Sequence, residues 1–380
     1  MEKVHKKEPK LFFIIYITLL AFAKGFYLSG TDRWYIGIAL VSCFFWLIHM
    51  IVNRYSLKEY LRVFVLLSLC LLSTYYSHRL GILMLGMTIV GAIDIPAKKM
   101  IHWTVTAFAT GYFFRIALAL LGIIDNGKRV EWKFFFRREV TRYGLGFHPN
   151  ILHAGFFILL VFRLYEKKRI NVFEFVITQL LNVLLFLISY SVTGFVMCEV
   201  TIIGGFILGR IIESRSFVIS PLRKILIYGM EGIPVVLSFL PALYYDPNNW
   251  WCYTIKGYTG GRTLWIYEFF RNYPITLFGQ TLDDRTYSMM DNAFIYVLFK
   301  YGLVAFILIM VGYVFVIQNA IKKQDYIKLF ICFLFGMYSF SEQFTQNCFM
   351  NFSLLFLCEV FWKERMVIES GNKIRSIGNL

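Results

Sequence analysis

Charge is scarce in this chain. Only 16% of its 380 residues are Asp, Glu, Lys or Arg, 58% are hydrophobic, and the apolar residues run in long unbroken stretches. That pattern excludes a water-soluble fold, whose apolar residues recur at regular spacing. Other absences narrow the function. No glycine-rich phosphate loop occurs, which excludes nucleotide binding by that device. The seven cysteines are an odd number and lie mostly in or beside apolar runs. They show no paired spacing, which excludes a disulfide framework and a cysteine metal cluster. No internal repeat is visible, so two related halves around a midplane site are not indicated.

What the chain does have is hydrophobic length. A membrane-crossing helix needs ~20 mostly apolar residues, because the bilayer core offers no water to unpaired backbone groups. Twelve stretches are candidates: roughly 11–30, 34–52, 60–77, 80–95, 100–122, 150–165, 172–190, 192–212, 225–245, 291–317, 328–341 and 348–362, of which 80–95, 150–165 and 328–341 are short, so the count falls by one or two if these do not span. The expected fold is an all-α polytopic membrane protein with two larger extracytoplasmic loops, 123–149 and 246–290. Ala21-Phe22-Ala23 has the look of a signal-peptide cleavage site, but an uncleaved first helix fits the chain better.

The formal charge of +16 would point to nucleic acid in a soluble protein, whereas here it reports topology. With Lys3, Lys6, Lys7 and Lys10 placed in the cytoplasm, the inner loops carry Arg54, Lys58 and Arg62; Lys98 and Lys99; Lys167, Lys168 and Arg169; Arg210, Arg215, Arg223 and Lys224; and Lys322, Lys323 and Lys328. The tail, with Lys363, Arg365, Lys373 and Arg375, is inside as well, so both termini are cytoplasmic. Every inner segment is then basic, as the positive-inside rule requires. Twelve cations face outward, and ten of these fall in the two larger loops, against the rule. Function is therefore expected there.

Loop 123–149 ends in "RYGLGFHPN" and carries Lys128, Arg129, Lys133, Arg137, Arg138 and Arg142. Guanidinium forks bind phosphate bidentately and stay charged at any relevant pH. Gly144 and Gly146 permit close backbone approach, Pro149 holds His148 extended, and Asn150 is placed to cap the next helix. The turn so presents His148 at a helix N-terminus, where negative charge is favoured. Lipid headgroups are the plainer partner for such arginines.

Loop 246–290 opens with "YYDPNNWWCY", whose aromatics suit either sugar faces or the membrane interface. "TGGRTLWIYEFFRNYPITLFGQ" follows. Thr263 to Phe270 reads as a short amphipathic helix, on which Arg262 and Arg271 point in opposite directions. Last, Asp291-Asn292 precedes a long apolar run, so Asp291 is a carboxylate at the membrane surface or simply a helix cap. Within the apolar stretches, Arg115, Glu174, Glu199, Glu231, Lys300, Glu342 and Glu359 are costly unless paired or wet. Arg115 and Glu342, each near an outer helix end, are further site candidates.

In order and position, "RYGLGFHPN", "GGRTLWIYEFFRNYPITLFGQ" and "DNAFIYVLFKYG" resemble the bacterial O-antigen and capsule polysaccharide polymerases (Wzy-type), which share a superfamily with the O-antigen ligases. The resemblance implies a membrane glycosyltransferase fold of GT-C-like type in the bacterial cytoplasmic membrane. It implies transfer of an undecaprenyl-pyrophosphate-linked glycan to a second lipid-linked repeat unit on the outer face, without nucleotide sugar, metal or other cofactor. Membrane lipids, a flippase and a chain-length regulator are the implied partners. By position in the motifs, Arg142 and Arg262 bind pyrophosphate, with Arg271 and Arg137 in reserve. Asp291 is the first choice of base and His148 the second, with Asn150 and Asn292 beside them. One departure stands out: relatives carry an arginine after the seventh helix, where this chain has Gly194 in "SYSVTGF", and Arg115 is the candidate replacement. A ligase, a lipid-linked oligosaccharide flippase, a secondary transporter and a receptor are the competing readings. A ligase would more often show histidine at 291 and a larger outer domain, and a flippase would spread charge along its spans.

Overall fold

A computed structural model describes residues 8–30, 32–213, 219–282 and 290–363. The expected cytoplasmic cations Lys3, Lys6, Lys7, Arg215, Arg365, Lys373 and Arg375, and Arg285 of the second loop, lie outside the described residues.

The chain is a bundle of helices. In order these are α1 (Glu8–Gly25), α2 (Arg33–Val52), α3 (Leu57–Ser77), α4 (Gly81–Gly91) and α5 (Ala97–Leu120). A hairpin of β1 (Arg129–Lys133) and β2 (Arg138–Arg142) follows, then α6 (Pro149–Lys167), α7 (Val172–Ser189), α8 (Val192–Glu213) and α9 (Pro221–Tyr244). Next come the short α10 (Trp250–Tyr258) and α11 (Arg262–Asn272), then α12 (Ala293–Tyr296), a π turn (Val297–Tyr301), α13 (Gly302–Lys322), α14 (Tyr326–Ser339) and, after two 3₁₀ turns, α15 (Leu357–Phe361).

Seven helices among the described residues are long and apolar enough to cross a membrane: α2, α3, α5, α7, α8, α9 and α13. The twelve expected stretches diverge from this for physical reasons. α1 and α6 are of spanning length but hold three charges each: Glu8, Lys10 and Lys24, and Arg163, Glu166 and Lys167. α1 is nonetheless the centre of the core, with Phe13, Tyr16, Ile17 and Leu20 fully buried. The stretch 80–95 yields only the 11 residues of α4, and 328–341 the 14 of α14. The stretch 348–362 breaks at Asn351, whose side chain bonds to local backbone and starts a 3₁₀ turn.

The expected helix 291–317 is also broken, at Gly302, and the break explains one of the quoted motifs. Gly302 has φ +92° and Gly279 has φ +89°. A Cβ on Gly279 would lie 2.1 Å from the Lys300 carbonyl oxygen, and one on Gly302 would lie 2.2 Å from the Gly279 nitrogen, so only glycine fits at either place. The amides of Leu303 and Val304 then donate to the carbonyls of Thr276 and Leu277 at 2.9 and 3.0 Å. "YPITLFGQ" and "FKYG" are thus two halves of one backbone joint that seats the second loop on the bundle.

The all-α expectation holds for the bundle, and the first loop adds one small element of strand. The first loop contains a two-stranded antiparallel hairpin, pairing Arg129 with Arg142 and Lys133 with Arg138. Its turn is clamped on both sides: Phe134 packs edge-on against Tyr258 of α10, and Phe136 against Phe186 and Tyr190 at the end of α7. The two larger loops therefore touch.

Candidate functional site

Alternation along the hairpin puts Arg129, Glu131 and Lys133 on the same face as Arg142, their partner strand's last residue. That face is turned to the start of α6. Glu131 accepts from Arg142 Nη1 at 2.6 Å and from Lys133 Nζ at 2.9 Å. Arg142 spends the rest of its fork nearby: Nη2 donates to Asn150 Oδ1 at 2.5 Å and Nε to the Ser189 carbonyl at 2.7 Å. It is 1% exposed. Burying a guanidinium so completely is tolerable only because a carboxylate and two oxygens receive it.

Asn150 passes the connection on. Its Nδ2 donates to Glu342 Oε1 at 3.4 Å, and the same oxygen accepts from Arg262 Nη2 at 3.1 Å. Arg262 Nη2 also stands 3.5 Å from Asp291 Oδ2. The cluster thus runs Lys133, Glu131, Arg142, Asn150, Glu342, Arg262, Asp291, and joins both larger loops to the segment that follows α14. Arg262 starts α11, and its Nη1 donates to the Thr259 carbonyl at 3.0 Å. Its Nε is buried and has no hydrogen-bond partner among the described residues. The space between Arg262, Trp265, Asp291 and Asn292 is small, about 10 Å³, so a ligand reaching Arg262 has to displace a carboxylate.

The two acids differ in access. Asp291 keeps 39% of its side chain exposed and Glu342 only 8%. Burial pushes the Glu342 carboxyl up to about 7, with the nearby Asp291 charge adding to the effect and Arg262 and Arg142 opposing it. Burial raises Asp291 as well, again against Arg262. Glu131 goes the other way: burial alone would raise it, but Lys133 and Arg142 together bring it down to about 2. One site acid raised to about 7 and a second raised by burial, beside a third that stays ionised, are an arrangement suited to proton transfer.

Two expectations for the turn change. Asn150 does not cap α6. The cap is His148, extended at φ −67° and ψ 137° as Pro149 requires, and its Nδ1 accepts the Asn150 amide at 3.3 Å. That bond uses the Nδ1 lone pair, so the proton sits on Nε2 and the ring offers a donor rather than a base. Burial, with the Arg129 and Arg142 charges, holds His148 down at about 4, so it is neutral at physiological pH. The helix cap before α12 is Asn292, whose Oδ1 accepts from Phe294 and Ile295, leaving Asp291 free of that duty. Asn292 Nδ2 staples α9 to α14 through Ser238 Oγ and the Phe340 carbonyl, at 2.8 and 3.0 Å.

Three other candidates lie apart from the cluster. Arg271 is exposed at the far end of α11, bonding Tyr267, and so faces away from Arg262. Arg137 occupies the exposed hairpin turn with φ +50°. Arg115 donates from Nε to the Gly146 carbonyl at 2.5 Å and from Nη1 to Phe26 at 2.7 Å, beneath the rings of Tyr27 and Phe147. It braces the turn from behind and does not occupy the place of the arginine missing at Gly194. No side chain fits at Gly194: a Cβ would stand 2.7 Å from His153 Cβ. His153 is itself fixed by Ser189 and Asn182, at 3.1 and 2.7 Å.

Glu131 is the member of the cluster that sequence reasoning missed. Its alternation with Arg129 and Lys133 was the available signal, had the segment been read as a strand. No protein-family model, no curated protein and no solved structure matches the chain.

Proposed function

We propose that the chain is a polysaccharide polymerase of the bacterial cytoplasmic membrane, joining repeat units borne on undecaprenyl pyrophosphate at the outer face. In this reading about twelve segments cross or enter the bilayer, both termini are cytoplasmic, and both larger loops are extracytoplasmic. The observation that carries it is the Arg262 contact with Glu342 and Asp291 at 3.1 and 3.5 Å, in a cluster built from both cation-rich loops. A polar site with buried cations and two acids at a membrane-facing helix end suits an anionic lipid headgroup and a reaction that moves a proton.

The chemistry follows from the parts. The acceptor sugar hydroxyl attacks C1 of the donor glycan, the C1–O bond to the diphosphate breaks, and the lipid diphosphate leaves with the electron pair. Arg262, drawn off its carboxylates by the incoming anion, stabilises the charge that grows on the leaving oxygen; one such donor is worth ~10²–10³ in rate. Its unpartnered Nε is a second point of attachment. Asp291, the more accessible acid, takes the hydroxyl proton, and Glu342 is the reserve acceptor behind it. His148 donates Nε2–H to a phosphate or sugar oxygen. Arg142 holds the hairpin, the turn and Asn150 in register and does not itself touch the ligand.

Deleting the gene and analysing the surface glycan tests this reading. Single repeat units persisting with loss of long polymer is the expected result. Loss of all surface glycan with lipid-linked polymer retained would instead mark a ligase.

A further inference from the structure

Most ionisable side chains within the apolar helices have a partner for their charge. Glu199 accepts from Gln179 Nε2 and Asn182 Nδ2, both at 2.7 Å, and Glu359 takes Lys328 Nζ at 2.8 Å. Glu174 pairs with Arg163. Glu231 differs. It lies near the middle of α9, and among the described residues neither a hydrogen bond nor an ion pair reaches its carboxylate. It lines a cavity of about 210 Å³ between α9, α13 and α14, together with Tyr313, Ser339, Thr345 and Asn351.

Hydrogen-bond direction decides what this cavity accepts. Asn351 Nδ2 donates to the Thr345 carbonyl at 2.8 Å, so its Oδ1 is the acceptor facing Ser353. Oδ1 receives both the Ser353 amide, at 3.1 Å, and the Ser353 hydroxyl, at 2.6 Å. Having spent its one proton there, Ser353 Oγ must accept from Tyr313, whose hydroxyl is 2.6 Å away. Tyr313 therefore has only lone pairs left, and the Glu231 carboxylate brings only lone pairs too; the second Nδ2 proton of Asn351, beside Tyr313, and the Gln346 amide are neutral donors on the same lining and leave the carboxylate's charge unmatched. Acceptors on both sides, in an apolar surround, call for positive charge between them. One carboxylate matches one charge, whereas a divalent ion wants several.

We propose that this cavity holds a single monovalent cation between Glu231 and the Tyr313 hydroxyl, supplied as an alkali-metal ion or as a proton. The site is separate from the arginine and carboxylate cluster, and does not depend on the glycosyl-transfer reading.

The test uses the purified full chain in nanodiscs. Thermal unfolding is recorded in NaCl, KCl and N-methylglucamine chloride at equal ionic strength, alongside the infrared carboxylic-acid C=O band across pH. Glu231→Gln supplies donors of its own in the same shape, and Tyr313→Phe keeps the carboxylate while removing its partner. If the occupant is an alkali ion, the wild type shows a saturable rise in Tm with Na⁺ or K⁺ that Glu231→Gln abolishes and Tyr313→Phe weakens. If it is a proton, the wild type shows a protonated-acid band that Glu231→Gln removes, with no preference among the salts. Wild-type unfolding indifferent to the cation, with no acid band assignable to Glu231, would overturn the proposal.

Discussion

Arg262 and Glu342, 80 residues apart in the chain, meet at 3.1 Å, and Asn150 reaches the same carboxylate oxygen from a third element. Segments that look independent in sequence thereby share one polar centre. Its behaviour is open to measurement at several points.

The first concerns pH. A carboxylate base works only when deprotonated, so activity should fall as pH drops through the range in which the site acids take up protons. With Glu342 raised to about 7, elongation by purified protein declines from pH 8 to pH 6 if Glu342 takes the proton, and declines at the lower pH where Asp291 protonates if Asp291 does. Asp291→Asn separates the two acids. If Asp291 is the base, the rate collapses at every pH; if Glu342 is, the midpoint moves down, because the Asp291 charge no longer raises it. A flat profile between pH 6 and 8 would remove Glu342 from the role.

Stability should follow the same group with its own sign. Glu342 holds its proton more tightly folded than unfolded, so the folded state binds more protons between the ordinary value of 4.5 and about 7. Its contribution to stability is therefore greatest at low pH and is lost as pH rises through 7. Glu342→Gln should flatten that limb of a Tm-against-pH curve. An unchanged slope in the variant would count against the burial assigned to this carboxyl.

Glu131→Gln tests the base of the cluster. Arg142, 1% exposed, would keep Asn150 and Ser189 but lose its counter-charge. Loss of about 1–3 kcal/mol is expected, since an under-satisfied buried charged group is costly. Thermal unfolding in detergent gives the number. Wild-type stability in the variant would show Glu131 to be an incidental surface acid.

Gly194 invites the opposite experiment, installing the arginine that the proposed family would place there. Because even a Cβ meets His153 at 2.7 Å, both Gly194→Ala and Gly194→Arg should destabilise, by about 1–3 kcal/mol for the smaller change. Neither should raise activity. A Gly194→Arg protein more active than wild type would mean that this site lacks a phosphate ligand which the cluster does not replace.

How much of this was legible depended on the physics of each segment. The helix expected over Thr263 to Phe270 appears as Arg262–Asn272, and Arg262 and Arg271 do face apart, because 3.6-residue periodicity survives in an amphipathic stretch. Arg142, Asn150, Arg262, Asp291 and Glu342 come together as candidates drawn from distant segments. Three features were hidden. Five-residue strands beside Phe134, Phe135 and Phe136 carry too little alternation to stand out, so the sequence reads as loop through the hairpin and Glu131. Hydropathy runs through Tyr301-Gly302 without pause, although a backbone joint breaks the helix there. The cap before α6 fell to His148 because an Arg142 fork claimed Asn150, a tertiary competition that no local spacing reports.

The most direct measurement is elongation in proteoliposomes loaded with a defined lipid-diphosphate oligosaccharide, comparing wild type with Arg262→Ala and Arg262→Lys at matched protein amounts. The expected result is a fall of ~10²–10³ for alanine, with lysine recovering part of it as a point charge without the fork. Full elongation by Arg262→Ala, in protein shown to be folded, would contradict the assignment of this cluster as the anion-binding centre.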